Sequence, residues 1–265
     1  MIYIQFFYTY LNKSWALIYL TAFSGFNYKG DGHLAGRKGI EYMPSTQVII
    51  AALNEEGGIG LTIADLYSHL RFPQVLVVDG KSTDRTVEVA KNMGAEILLQ
   101  EGRGKGDALA KGLEHLDLVD YVVIIDADYT YPAEHIPEMI NILEKNPDVG
   151  MVCGNRFAEK ADPKAFRNIF SLGNQIIAFT ANALNGVQLN DPLTGLRVVR
   201  AEILRNWKIK SKGFDIEVEL NHHVERRGFG IAEIPIHYRE RVGEKKLKVR
   251  HGVEILKRIM LETTY

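Results

Sequence analysis

The stretch VVIIDADYTYPAEHIP, residues 122–137, contains a short apolar run that leads directly into two aspartates separated by one alanine. An apolar run of this length is typical of a strand in a parallel sheet that is buried on both faces. Two carboxylates this close repel each other, so Asp126 and Asp128 need a nearby positive charge to stay ionised together. A bound metal ion would supply that charge most simply.

Strand and helix patterns alternate on both sides of this stretch. We predict strands at 48–53, 74–79, 96–100, 120–126 and 149–155. We predict helices at 59–70, from the capping residues Ser82 and Thr83 to about Met93, at 106–116 and at 136–145. This alternation predicts an α/β fold with an open, mostly parallel sheet that carries helices on both faces.

The pattern is looser after Arg156. We predict helices at 165–184, 214–227 and 251–261, and strands at 193–199 and 230–238, the last of them at an edge of the sheet. The sequence contains neither an internal repeat nor a long linker. Residues 43–265 are therefore predicted to form a single domain.

The composition excludes several classes of protein. Hydrophobic residues make up 46% of the 265 residues and charged residues 25%, which is ordinary for a soluble globular protein. The net charge of -1 gives no general attraction for nucleic acid. The one cysteine, Cys153, rules out a disulfide framework and is expected in a buried strand. A cytoplasmic location fits this cysteine usage.

Residues 1–42 carry no recognisable chemistry. Their apolar start is interrupted by Asn12 and Lys13, so it falls short of the ~20 apolar residues that span a bilayer. It also lacks the basic start and cleavage site of a secretory signal. The segment is interpreted either as a packing or membrane-surface extension or, preferably, as the result of a start codon placed too early, with Met43 as the true start.

Polar residues follow the predicted strands, where open α/β sheets bind their ligands. They are Asn54 and Glu55, Asp79, Asp126 and Asp128, and Asn155 and Arg156. Because side chains alternate along extended chain, Asp126 and Asp128 are expected to point to the same side. Carboxylate oxygens that share a face suit Mg²⁺ or Mn²⁺. The alternative is two solvated aspartates in a turn.

Two further segments bear on nucleotide binding. Asp79 could accept hydrogen bonds from a ribose or base, or it could stabilise a turn. The glycines of QEGRGKGDAL, residues 100–109, could bring Arg103 and Lys105 to phosphates, or they could form a flexible turn. A nicotinamide enzyme would need G-x-G-x-x-G after the first strand, where this chain has ALNEEGGIG, so that class is disfavoured.

Six motifs together resemble family 2 glycosyltransferases of the GT-A fold. They are IIAALNEE (49–56), VVDGKSTDRT (77–86), GRGKGDAL (102–109), IIDADYTYPAEHIP (124–137), DPLTGLRVVR (191–200) and IPIHYRERVGEKKLKVRHG (234–252). The last two resemble the dolichyl-phosphate mannose or glucose synthase branch. The resemblance covers about residues 46–258. It implies inverting, metal-dependent transfer of a hexose from GDP-mannose or UDP-glucose to a polyprenyl or dolichyl phosphate.

The resemblance also implies roles for individual residues. Nucleotide-sugar binding falls on Ala51, Leu53, Glu55, Val77, Asp79, Lys105, Asp126, Ala127, Asp128, Arg156 and Arg241. Metal binding falls on Asp126, Asp128 and Thr130, and catalysis on Asp128, Asp191 and Arg241. The family usually has proline and tyrosine at Ala51 and Leu53, and often Gln or Ser at Thr130. By the same resemblance, 43–156 is the nucleotide-sugar and metal half and 157–265 the acceptor half.

The basic tail, residues 239–258, offers contacts to phosphate or to an anionic membrane surface, which would place the protein peripherally at the cytoplasmic face. The alternative is that the charged side chains of this tail form an ordinary solvent-exposed surface. Two other functions stay open. One is a family 2 enzyme with a soluble acceptor, making a glucosyl-phosphoglycerate or a polysaccharide. The other, a nucleotidyltransferase, is disfavoured because LNEEGGIG is acidic where a basic glycine-rich loop would be needed.

Overall fold

Seven β-strands form one sheet in the part of the chain that this computed structural model describes, residues 44–158, 189–244, 246 and 249–262. They are β1 Thr46–Ala52, β2 Gln74–Asp79, β3 Glu96–Leu99, β4 Tyr121–Asp126, β5 Val149–Asn155, β6 Arg197–Arg200 and β7 Gly230–Pro235. Their order across the sheet is β3-β2-β1-β4-β6-β5-β7. Strand β6 is antiparallel to β4 and β5, and the other pairs are parallel. The mostly parallel sheet is confirmed.

The helices connect and cover these strands. They are α1 Ile59–His69, α2 Thr86–Asn92, α3 Lys105–Leu113, α4 Ile136–Lys145, α5 Ala201–Leu204, α6 Ile216–Arg226 and α7 Val249–Glu262. A short 3₁₀ turn at Ala133–His135 precedes α4. None of these helices has the length and hydropathy needed to cross a membrane.

Two hydrophobic cores lie on opposite faces of the sheet. Ile50 of β1 packs in one core with α1, α2 and α4, while its neighbour Ile49 packs in the other with α3, α5 and α6. This division follows from the alternation of side chains along a strand. It confirms helices on both faces. Cys153 of β5 is completely buried in the second core, as expected.

Most element boundaries agree with the sequence, and the differences have local causes. Arg85, not Ser82 or Thr83, is the residue at the N-cap of α2. The carboxylate of Asp84 accepts the hydrogen bonds from Thr86, at 3.0 Å to its N–H and 2.5 Å to its hydroxyl. Ser82 and Thr83 bond instead to Asn54, so the predicted cap is wrong.

Strand β6 begins four residues later than predicted. Residues 191–195 form a turn in which the N–H of Thr194 donates to the carbonyl of Asp191. The N–H of Gly195 donates to the hydroxyl of Tyr131 at 2.6 Å. The predicted helix at 165–184 and the predicted extension at 1–42 lie outside the described residues. The predicted division into one domain from residue 43 stays a prediction.

Candidate active site

A cavity of about 690 Å³ opens at the carboxyl ends of the parallel strands. Its walls come from the residues that follow β1, β2, β3, β4 and β5, and from α6 and the segment after β7. Nine of the predicted site residues line it: Ala51, Leu53, Glu55, Lys105, Asp126, Ala127, Asp128, Arg156 and Arg241. Four do not: Val77, Asp79, Thr130 and Asp191. The strand ends therefore bring most, but not all, of the predicted residues together.

Asp126 closes β4 and forms an ion pair with Lys105 at the start of α3. The Lys105 ammonium lies 2.6 Å from Asp126 Oδ1 and 2.7 Å from Glu217 Oε1 of α6. Burial disfavours the charged carboxylate, but the adjacent ammonium more than offsets this and holds the pKa of Asp126 below its usual range. Asp126 is therefore ionised, and one buried cation is shared between two carboxylates.

Asp128 lies in the turn after β4 rather than in extended chain. The argument from strand alternation is therefore wrong for this residue, although both aspartates do line the cavity. Its Oδ1 accepts hydrogen bonds from the hydroxyl and the N–H of Thr130, at 2.5 and 3.1 Å. Burial, and after it the charge of Asp126, raise the pKa of Asp128 above its usual range. The like-charge repulsion read from the sequence is thus present.

Arg241 spans the cavity between two carboxylates. One terminal nitrogen donates to Asp128 Oδ2 and the other to Glu55 Oε1. Burial raises the pKa of Glu55 to about 7, even though the charge of Arg241 acts in the opposite direction. The segment after β7 therefore folds back over the strand ends.

Arg156 and Asp191 form a bidentate ion pair beside the cavity. Arg156 Nε lies 2.6 Å from Asp191 Oδ2, and Nη2 lies 2.7 Å from Oδ1. Asp191 is only 1% exposed, and its N–H donates to Glu233 at 2.7 Å. Both oxygens of Asp191 are thus engaged away from the cavity. Asp191 therefore orients Arg156, and its implied role in catalysis stays a prediction.

The two residues predicted from β2 also lie outside the cavity. Val77 is completely buried in the hydrophobic core, so its implied contact with the nucleotide stays a prediction. Asp79 Oδ2 accepts hydrogen bonds from the N–H groups of Lys81 and Ser82, both at 2.9 Å. Its Oδ1 is buried with no hydrogen-bond partner among the described residues. In this structure Asp79 therefore stabilises the turn that presents Lys81 to the cavity.

The glycines in residues 102–106 allow the backbone of this loop to lie close to the backbone of residues 211–213. A Cβ on Gly104, whose φ is +92°, would lie 2.3 Å from the carbonyl oxygen of Lys212, and one on Gly106 would lie 2.4 Å from that of Ser211. The N–H of Gly106 donates to the carbonyls of Lys212 and Gly213. This N–H is thus not directed at a phosphate, and the loop is not a free turn. The contact places Lys105 between its two carboxylates.

The donor chemistry at the strand ends fits a divalent cation. Asp126 and Asp128 offer oxygen ligands without sulfur or nitrogen, which is the set that Mg²⁺ and Mn²⁺ prefer. Burial and the charge of Asp126 raise the pKa of Asp128, so a bound cation would favour its ionised form. Thr130 is completely buried and its hydroxyl is directed to Asp128, so it holds the carboxylate instead of facing the cavity. Among the described residues, no group of three His, Cys, Asp or Glu side chains is arranged around one point.

Sequence reasoning missed several residues of the cavity. The missed lining residues include Gln100, Tyr131, Leu193, Phe214, Glu217 and Tyr238, while Lys246 and His251 belong to the basic tail that was predicted to offer contacts to phosphate. Tyr131 and Tyr238 pack edge to face with ring centroids 5.1 Å apart. Both lie inside motifs that were quoted for the resemblance, which is a signal that could have found them. Glu217 gives no such signal because acidic residues on a helix usually face solvent.

Comparison with known proteins gives a consistent picture. The family model described as Glycosyl transferase family 2 matches residues 47–207. A dolichyl-phosphate hexose transferase from Haloferax volcanii is 37% identical over 204 residues, which are 76% of this chain and 85% of the relative. Glycosyltransferase AglJ from the same organism is 36% identical over 180 residues, 67% of this chain and 58% of that relative.

The fold also resembles solved structures. Glucosyl-3-phosphoglycerate synthase from Mycobacterium tuberculosis, in complex with Mn²⁺, UDP-glucose and phosphoglyceric acid, superposes with a TM-score of 0.69 at 20% identity. The match covers 83% of this chain and 80% of that chain. The same enzyme in complex with Mg²⁺ and UDP gives a TM-score of 0.68. At this identity the likeness concerns the fold alone.

Proposed function

The chain belongs to glycosyl transferase family 2, and from that premise we propose that it transfers a hexose from a nucleotide-diphosphate sugar to a polyprenyl phosphate. The solved structures confirm the predicted GT-A type of fold. The observation that carries the proposal is the cavity at the strand ends, which is lined by Asp126 and Asp128 together with Arg156 and Arg241. The relative whose name supports a lipid phosphate acceptor is the dolichyl-phosphate hexose transferase, and the alignment covers 85% of that relative.

The charge of the cavity suits a ligand with phosphates. Its described lining contains six lysine and arginine side chains and four carboxylates. They are Lys81, Arg103, Lys105, Arg156, Arg241 and Lys246, and Glu55, Asp126, Asp128 and Glu217. Arginine can bind phosphate oxygens in a bidentate manner. An excess of cations therefore remains for the diphosphate of the donor.

Each residue has a role in the proposed transfer. Asp126 and Asp128 would hold a divalent cation, which stabilises the negative charge that develops on the leaving nucleoside diphosphate. Arg241 and Arg156 add fixed positive charge at the phosphates. The acceptor phosphate is already an anion, so no strong general base is needed to activate it. The sugar would be transferred with inversion, as the resemblance implies.

A panel of thermal-shift measurements tests the donor and metal assignments. A ligand that binds only the folded state raises the melting temperature. We expect UDP or GDP to raise it with Mn²⁺ or Mg²⁺ present and much less without. Product assays with the matching nucleotide sugar then compare dolichyl phosphate with 3-phosphoglycerate. Transfer to dolichyl phosphate alone supports the proposal, while transfer to phosphoglycerate alone would favour the soluble-acceptor alternative. No shift with any nucleotide and metal would contradict the family assignment of the cavity.

We also propose that the protein contacts an anionic membrane surface through α7. Val253, Met260 and Leu261 are exposed on this helix, and Lys257 is exposed among them. Their spacing places them on one face of a helix, a pattern typical of an interfacial helix with an apolar face and cations that attract anionic lipid. Such contact would bring the cavity to a lipid-linked acceptor.

Flotation with vesicles tests this contact. The protein is expected to float with phosphatidylglycerol vesicles and to stay behind with pure phosphatidylcholine. The double variant Met260→Glu, Leu261→Glu should lose flotation, since it places acids on the apolar face. The matched control is Leu118→Glu, which changes a residue that is 92% exposed in the loop between α3 and β4. Equal loss in the control would contradict a specific role for α7.

A further inference from the structure

Two buried ion-pair clusters, each with one cation between an aspartate and a glutamate, include the two aspartates of the site. In the first, Lys105 bridges Asp126 and Glu217, at 2.6 and 2.7 Å. In the second, Arg241 bridges Asp128 and Glu55. Each aspartate therefore shares its cation with a glutamate. We call Glu55 and Glu217 the partner glutamates.

Each partner glutamate has one carboxylate oxygen that could accept a further hydrogen bond. Each is only 6% exposed. In each, Oε1 contacts the shared cation, while Oε2 is buried with no hydrogen-bond partner among the described residues. Buried carboxylate oxygens without a partner are uncommon in folded proteins and call for an explanation. The Oε2 atom of each glutamate can therefore accept one more hydrogen bond.

We propose that the partner glutamates take over Lys105 and Arg241 when a divalent cation binds Asp126 and Asp128. The inference rests on the proposed function, because it requires a metal at the aspartates. A metal at the aspartates competes with both cations for the carboxylates, and a buried cation without a carboxylate is strongly unfavourable. The unpartnered Oε2 atoms give the displaced ammonium and guanidinium groups a second acceptor. Glu217 and Glu55 are thus positioning residues that permit metal binding.

The exchange needs little movement. Lys105 already lies within hydrogen-bond distance of Glu217, which is on α6, while Asp126 is at the end of β4. Lys105 therefore has only to give up its contact with Asp126 while its contact with Glu217 persists. Glu55 also lines the predicted nucleotide pocket, so changes at Glu55 would affect donor binding directly. Glu217 therefore gives the cleaner test.

The first measurement is the affinity for Mn²⁺ by calorimetry, with Mn²⁺ alone and with Mn²⁺ in the presence of UDP or GDP. Glu217→Gln removes the charge that receives Lys105, so we expect its Kd for Mn²⁺ to rise about ten-fold, equal to about 1.4 kcal/mol. The matched control is Glu219→Gln on the same helix, a buried carboxylate that accepts hydrogen bonds from Lys210 and Ser211 and is not shared with Asp126. Wild-type affinity in Glu217→Gln, or equal loss in both variants, would overturn the proposal.

A direct attraction between Glu217 and the metal is the rival explanation, and a double-mutant cycle separates the two. If Glu217 acts through Lys105, its effect on Kd should disappear in a Lys105→Met background. An undiminished effect there would overturn the proposal. Glu217→Asp gives the same answer without removing the lysine, because it keeps the charge but no longer reaches Lys105. Its Kd should rise like that of Glu217→Gln, whereas a direct attraction predicts a value near wild type.

Failure of this inference differs from failure of the proposed function. If wild type binds Mn²⁺, Asp128→Asn does not, and Glu217→Gln equals wild type, only the role of the partner glutamates is wrong. If wild type binds no Mn²⁺ with or without UDP or GDP, the metal site itself is wrong, and both proposals fall. Melting temperatures of all variants, measured without metal, establish that each one is folded.

Discussion

At the scale of single residues, Asp128 is held from two directions by Thr130 and Arg241. Asp128→Asn should reduce transfer by about 10²-fold or more, because the amide is a poor ligand for a divalent cation at a site of developing charge. The fold should persist, since Asn has the same shape and can still accept the hydrogen bonds from Thr130. Steady-state kinetics and melting temperature measure the two effects.

The control for Asp128 is Asp65→Asn. Asp65 forms an ion pair with Arg239 at 2.7 Å but does not line the cavity. It should therefore change stability more than turnover. Near-normal turnover of Asp128→Asn at saturating Mn²⁺ would show that the aspartate does not bind the metal.

Arg241→Lys tests the bidentate contact. Lysine keeps the charge but cannot bind phosphate oxygens in the planar, bidentate geometry of arginine. We expect transfer to fall about ten-fold, equal to about 1.4 kcal/mol of transition-state stabilisation, with a smaller change in donor affinity. Arg239→Lys, two residues earlier and directed to Asp65, is the matched control. Undiminished rates in Arg241→Lys with both lipid and soluble acceptors would remove Arg241 from the site.

The sequence predicted the residues that line the cavity better than those that support it. Asp126, Asp128 and Arg156 follow apolar strands, and strand ends meet by geometry in a parallel sheet. Thr130 bonds to Asp128 only two residues away, whereas the partners of Asp191, which are Arg156 and Glu233, depend on tertiary contacts that no local pattern encodes. Glu217 was missed for the same reason, since only the fold brings α6 against Lys105.

At the scale of secondary structure, the contact between the glycine loop and residues 211–213 can be tested by adding one methyl group. Gly106→Ala would place a Cβ 2.4 Å from the carbonyl oxygen of Ser211, so backbone must shift. We expect a loss of about 1–3 kcal/mol in the free energy of unfolding, the usual cost of overpacking. Chemical denaturation measures it.

Gly252→Ala is the matched control for this change. Gly252 lies in α7, and a Cβ built there meets nothing within 4 Å. Because alanine is the better helix former, this variant should gain up to about 1 kcal/mol. Equal stability of Gly106→Ala and wild type would mean that the loop does not pack closely.

The burial of β5 leads us to predict that the thiol of Cys153 reacts slowly in the native protein. Burial raises the pKa of Cys153 to about 11, from a usual value near 9. Native protein should therefore resist iodoacetamide at pH 8 and react fully in guanidinium. Since the folded state holds the proton more tightly, stability should decline as pH rises from about 9 to 11, and Cys153→Ala should weaken that decline. Rapid labelling of native protein would contradict the burial of β5.

Strands were predicted more accurately than helix caps. Apolar runs such as those of β2 and β5 have few alternatives to a buried strand, and both were predicted with their observed bounds. The cap of α2 was wrong because Ser82 and Thr83 bond to Asn54, which lies in the loop after β1. The start of β6 was wrong because a tyrosine from another segment holds Gly195 in a turn.

At the scale of the whole molecule, the described sheet and cavity are built from residues beyond 43. Deleting residues 1–42 should leave transfer activity and melting temperature nearly unchanged, because no predicted motif lies there. Activity assays and calorimetry on the shortened and full-length chains measure this. A large fall in melting temperature would show that the extension stabilises the domain.

The position of β6 has a consequence for synthesis on the ribosome. Strand β5 does not pair with β4, which precedes it in the chain, but with β6 and β7, which are translated later. A nascent chain that ends before Arg197 therefore carries β5, a largely apolar segment, with neither of its partners. Unpaired apolar strands are prone to aggregate. The growing polypeptide would accordingly expose an aggregation-prone segment until β6 and β7, residues 197–235, have been translated.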